Sequence, residues 1–120
     1  MTPPINLVPN PIQLRCAFGA SVAMRMHAYR PDGSAFDLTP YTITAPFIVD
    51  GGGPVPAVAG WLVAVDLATS SVHLSLAEDD TLALAPGGKS ATWHWAVWLG
   101  SGVAPERILF AHGDLGLLQP

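Results

Sequence analysis

Apolar and polar positions alternate along this chain in short runs rather than at helical spacing. Val22, Met24, Met26 and Ala28 alternate with Ala23, Arg25, His27 and Tyr29. A period of two turns one face inward and the other toward solvent, so a strand is predicted here. Residues 13–18 predict a shorter strand before it, broken at Gly19. Ser71–Leu76 alternates again, with Val72, Leu74 and Leu76 set against His73 and Ser75. The strongest run is 90–99, where Ala91, Trp93, Trp95, Val97 and Leu99 share one face and Thr92, His94, Ala96 and Trp98 the other. Weaker strands are predicted over 35–39, closed by Pro40, over 41–49, interrupted at Pro46, and over 58–65 and 106–112.

Turn chemistry separates these runs. Arg30-Pro31-Asp32-Gly33-Ser34 reads as a hairpin loop, because Pro presets φ at the first corner and Gly accepts positive φ. Residues 50–56 read as a loop, and 66–70 and 100–105 as turns. Only 77–85 reads as helical, with a short helix expected near 78–84. Its acidic start Glu78-Asp79-Asp80 suits the positive helix end, and Pro86-Gly87-Gly88 stops it. Seven or eight strands at about ten-residue spacing predict a small all-β sandwich over 13–113. It would be preceded by an extended arm (1–12) and followed by a tail (114–120).

Composition agrees. The 120 residues suffice for one domain, and 12 Gly with 12 Pro argue against a helical bundle. Half the residues are apolar, which excludes a disordered polyelectrolyte. Only 12% are charged, about half the usual share. The formal charge is −4, and Arg15, Arg25, Arg30, Lys89 and Arg107 are scattered, so neither a nucleic-acid footprint nor a polybasic membrane patch forms. Mean hydropathy is +0.39, yet no run of 18 apolar residues exists to span a bilayer, and the N-terminus does not read as a signal peptide. A charge-poor, greasy chain of this kind stays soluble if partner subunits cover much of its surface. The first twelve residues, MTPPINLVPNPI, interleave four prolines with Ile5, Leu7, Val8 and Ile12. The prolines enforce extension, as in any frayed terminus, but the apolar residues favour an arm laid across a neighbour.

Candidate chemistry is sparse. His27, His73, His94 and His112 each stand alone in a strand, although His94 and His112 would meet if their strands paired. Without convergent pairs they read as polar-face histidines rather than metal ligands. Ser21, Ser75 and Ser90 lack a nucleophile elbow. Adjacent carboxylates at Glu78, Asp79 and Asp80 diverge on a helix. Gly51-Gly52-Gly53 is followed by no Lys-Ser/Thr and reads as a loop rather than a phosphate cradle. Cys16 is the lone cysteine and reads as a small apolar strand residue. Trp93 and Trp95 are expected in the core. Trp98, on the opposite face, could pack under a loop, anchor an interface or stack a sugar.

Taken in order, the features form a recognisable series. A strand leads to Pro31-Asp32-Gly33-Ser34, then Phe36-Asp37-Leu38-Thr39, then a variable strand and a Gly-rich loop. Asp66, a short alternating strand, Ser75-Leu76-Ala77-Glu78-Asp79-Asp80-Thr81 and Pro86-Gly87 follow. A Trp-rich strand and a last strand with Ile108, Leu109 and Phe110 close the series. Over roughly residues 18–112 this resembles the immunoglobulin-like β-sandwich of tailed-phage virion proteins. That family includes the N-terminal module of baseplate and fibre proteins and small sandwich proteins of actinobacterial phages. The Gly-Gly-Gly-Pro loop and the extra tryptophans depart from the pattern.

The resemblance implies an immunoglobulin-like sandwich of seven to nine mostly antiparallel strands with one short helix. It also implies a non-enzymatic structural subunit of a phage particle, assembled in the host cytoplasm. A lone domain with an apolar arm favours a minor capsid or decoration protein. A tail or baseplate adaptor and a carbohydrate-binding adsorption module are the alternatives. Expected partners are the major capsid protein or other virion subunits, with self-association a further expectation. No nucleic acid, membrane, metal, cofactor or catalytic residue is expected. The interface residues implied are Ile5, Leu7, Val8 and Ile12 of the arm, and Trp98.

Overall fold

A computed structural model describes residues 11–49, 56–101 and 107–119. The strands are β1 (Ile12–Ala17), β2 (Val22–His27), β3 (Tyr41–Thr44), β4 (Leu62–Asp66), β5 (Ser71–Leu76), β6 (Ala91–Ser101) and β7 (Arg107–Leu118). They form a four-stranded sheet, β1-β7-β6-β3, and a three-stranded sheet, β2-β5-β4. Every pairing between these strands is antiparallel except β1 with β7, which run side by side in the same direction. Strands 2, 4 and 5 on one layer and 3, 6 and 7 on the other reproduce the immunoglobulin partition, with the first strand transferred to the edge beside the last. The fold is an all-β, immunoglobulin-like sandwich.

The period-two pattern becomes burial. Trp93, Trp95, Val97 and Leu99 of β6 face Val72, Leu74 and Leu76 of β5 across the core. Leu115 and Leu117 of β7 complete the layer and are fully buried. Each such aliphatic side chain contributes about 1.5–3 kcal/mol of transfer free energy. One helix, α1 (Glu78–Ala83), carries the chain from β5 toward β6. The Asp80 carboxylate accepts the Ala77 amide N–H at 3.1 Å and so satisfies a donor at the helix start. Beyond the helix, a 3-10 turn at Pro86–Gly88 takes positive φ at Gly87 and Gly88. The Trp93 indole N–H donates to the Leu84 carbonyl at 2.6 Å, fastening the far end of the helix to β6.

The sheets are stitched together at one corner. Ala45 and Phe47 pair with the segment 59–61 through Phe47 N–H to the Ala59 carbonyl and Trp61 N–H to the Ala45 carbonyl, both 2.9 Å. Gly60 is required there, since a Cβ would lie 2.4 Å from the Ala45 carbonyl oxygen. Phe47 also bridges Trp95 on β6. Past Gly60 the chain leaves this sheet and enters β4 of the other.

Several expected boundaries are corrected. Residues 35–39 form no strand: Ala35 makes a single bridge to Tyr29, and the Asp37 side chain captures the Thr39 amide at 3.0 Å, bending the backbone away from any ladder. The run expected over 58–65 begins as a strand only at Leu62, because Gly60 belongs to the corner. Residues 114–118 are not a tail but the second half of β7, held by β6 on one side and β1 on the other. Ile12, assigned to the arm, is the first residue of β1 and packs against the core. The rest of the arm, with Ile5, Leu7 and Val8, lies outside the described residues.

Candidate functional site

The outer face of the four-stranded sheet gathers the polar side chains of β6 and β7. His94 stands opposite Asp114 in the ladder, and its Nδ1 meets the Asp114 carboxylate. His112 stands opposite Ala96, diagonal to His94 on the same face, so the pairing of their strands does bring the two histidines near. His27 and His73 belong to the other sheet. Among the described residues, no three His, Cys, Asp or Glu side chains gather in a way that could hold a metal ion.

A hydroxyl–imidazole contact occurs at a serine that spacing alone did not single out. Ser71 Oγ lies 3.4 Å from His73 Nε2, but Ser71 is fully buried and its hydroxyl is engaged by the Thr69 hydroxyl at 2.6 Å. That geometry braces the β4–β5 turn and gives no substrate access to the oxygen. The contact joins residues i and i+2 of one strand face, a signal available in the alternation of Ser71, His73 and Ser75.

Three aspartates work in the turns. The Ser34 hydroxyl, 2.6 Å away, and the Ser34 amide, 2.9 Å away, hold the Asp32 carboxyl below the usual carboxylate range. The Thr39 side chain and amide do the same for Asp37, and Thr69 with the Ala68 amide for Asp66. All three are fully exposed and shape loops rather than a site. Cys16 is half-buried in β1, and burial pushes its thiol up from the ordinary value, which makes it a poor nucleophile.

What remains distinctive is apolar. Leu62, 71% exposed, and Val65 stand on β4, whose outer edge has no strand beside it among the described residues. Leu67, in the following turn, is 55% exposed, and Ile48 and Val49 are also open to solvent. Where the chain parts at the corner, Thr44 stays with one sheet and Leu62 with the other. The fork between them is an apolar groove of about 330 Å³ lined by Ile43, Thr44, Pro46, Trp61, Leu62 and Val63 among others, none of them charged. The edge of β4 carries no Lys, Arg or Pro, the residues that commonly blunt a free strand edge.

Of the interface residues expected from sequence, Trp98 is half-buried on β6 between Thr44 of β3 and Leu109 of β7, beside a bulge at Val97/Trp98. Ile12 is partly buried in β1. Neither is among the residues that line the groove, although Trp98 pairs with Thr44 at its margin. Leu62 and Val65 were missed because an apolar run reads as core unless the position of its strand in the sheet is known, and Leu67 because it read only as part of a turn. Compared with known proteins, the chain matches no family model and no curated protein.

Proposed function

We propose that this chain is a non-enzymatic structural subunit of a tailed-phage particle, acting as a minor capsid or decoration protein. The observation that carries the reading is an apolar flank at β4, with Leu62 exposed on its outer face and Val65 and Leu67 exposed at its far end, on a sandwich with so few charges. A flank of that kind is covered in the working state of a soluble protein. The mechanism is passive. The sandwich buries its flank and its apolar arm against neighbouring subunits, and each Å² removed from water adds about 25 cal/mol before the costs of association. Repetition at symmetry-related positions multiplies a modest contact into a stable lattice. The sequence resemblance to phage sandwich proteins supplies the particle; the flank supplies the need for a neighbour.

The test is cosedimentation of the purified chain with assembled phage shells and, separately, with isolated tails. The chain lacking residues 1–10, which leaves β1 whole, and Leu62→Asp are run beside it. Retention by shells, weakened in either variant, supports the reading. Retention by tails alone would make the chain a tail adaptor. Retention by neither would overturn the proposal.

A further inference from the structure

We propose that the groove between β3 and β4 is the receptor for residues 5–8 of a second copy of this chain, added as an extended strand along the open edge. This deepens the assembly reading above by naming one partner of the arm. Three observations carry it. The first is the receptor: β3 and β4, each an edge strand among the described residues, diverge at the Pro46–Gly60 bridge, and the space between them is lined without charge. An extended segment laid there gains main-chain hydrogen bonds and seats alternate side chains in the groove.

The second is the chemistry of the occupant. Ile5-Asn6-Leu7-Val8 holds no charge, and none stands anywhere from Met1 to Ile12. Pro4 and Pro9 bracket it, so the insert keeps four backbone N–H donors in a stretch whose flanks disfavour a helix. Ile5 and Leu7 are two apart and would enter one side together.

The third is reach, which decides between the chain's own groove and a neighbour's. Ile12, Gly113, Trp95 and Phe47 stand in one row across the four-stranded sheet. A strand added outside β3, where the groove lies, would stand four strand spacings from β1, or roughly 19 Å. From Ile12 back to Val8 is four residues, which span at most about 14 Å. The chain's own arm therefore cannot lay residues 5–8 in its own groove, whereas the arm of another copy meets no such limit.

The test mixes two full-length single-cysteine chains, Leu7→Cys and Leu62→Cys, each also carrying Cys16→Ser, under mild oxidation. The expected result is a disulfide-linked pair formed by the mixture well above the yield of either chain alone. In parallel, sedimentation velocity follows the unmodified chain over a concentration series. Association is expected, weakened at least tenfold by Leu7→Asp and by Leu62→Asp, the latter at an exposed position. A chain that stays monomeric throughout, or association undiminished by both substitutions, would overturn the inference. Shell binding retained in that case leaves the assembly reading standing; self-association retained without shell binding does the reverse.

Discussion

The hydroxyl of Thr81, fully buried on α1, accepts the amide N–H of Gly19 at 2.9 Å and lies 2.9 Å from the Ala20 carbonyl. One side chain thereby joins the short helix to the β1–β2 turn, 62 residues away in sequence. A six-residue helix is too short to hold itself together, so this tie and the Trp93–Leu84 bond fix its place. Thr81→Ala leaves the Gly19 donor without its acceptor and is expected to cost about 1–3 kcal/mol. Thr81→Ser, which keeps the hydroxyl, should recover most of it. The midpoint and slope of urea unfolding for the three proteins check this.

At Gly113 the backbone of β1 presses close against β7. A Cβ there would lie 1.8 Å from the Ile12 carbonyl oxygen, which is backbone and cannot swing aside. Gly113→Ala must part the start of β1 from β7, at an expected cost of about 2–4 kcal/mol. Amide exchange of residues 12–17 should rise more than that of β5. Unchanged protection in β1 would contradict the close approach.

His94 and Asp114 form an exposed cross-strand pair, with their side chains 53% and 40% open to solvent. Solvent screens such a pair, so Asp114→Asn should change stability by no more than about 1 kcal/mol. The difference between the two proteins should shrink further in molar salt. A larger loss would mean that the outer face of the sheet is more tightly braced than its exposure implies.

Asp32, Asp37 and Asp66 are all held below the ordinary carboxylate range by the turns they close. Each binds its proton less readily folded than unfolded. The stability they add is therefore present above the unfolded carboxylate range and is lost as pH falls through their lowered folded values. Acid titration of the urea midpoint should fall through that window. The triple Asp→Asn variant, which accepts the same amides without titrating, should fall less steeply.

The alternation of 90–99 was enough to place Trp93 and Trp95 in the core, and Pro86-Gly87-Gly88 was enough to end the helix. Leu115 and Leu117 read as a tail because Gly113 and Gly116 interrupt their run. Gly113 marks where another strand comes close, and that strand's paired residue, Ile12, is 101 residues earlier in sequence. Residues 35–39 carry strand formers, yet the Asp37 side chain wins the Thr39 amide locally, a competition that composition does not weigh. The exposed flank was illegible for a different reason. Leu62 and Val65 sit in a run as apolar as any core strand, and only the order β2-β5-β4 makes β4 an edge. The groove at the fork depends on where two distant segments part, which no local pattern records.

The parallel alignment of β1 with β7 has a mechanical consequence. Ile12 and Leu118 lie at opposite ends of one six-pair ladder. Tension that draws these two residues apart along the strand axis loads all of those pairs together, in shear, instead of peeling them one at a time. The rate at which the sandwich yields under load is then set by that single ladder. A pull directed across the strands at Ile12 would meet far less resistance.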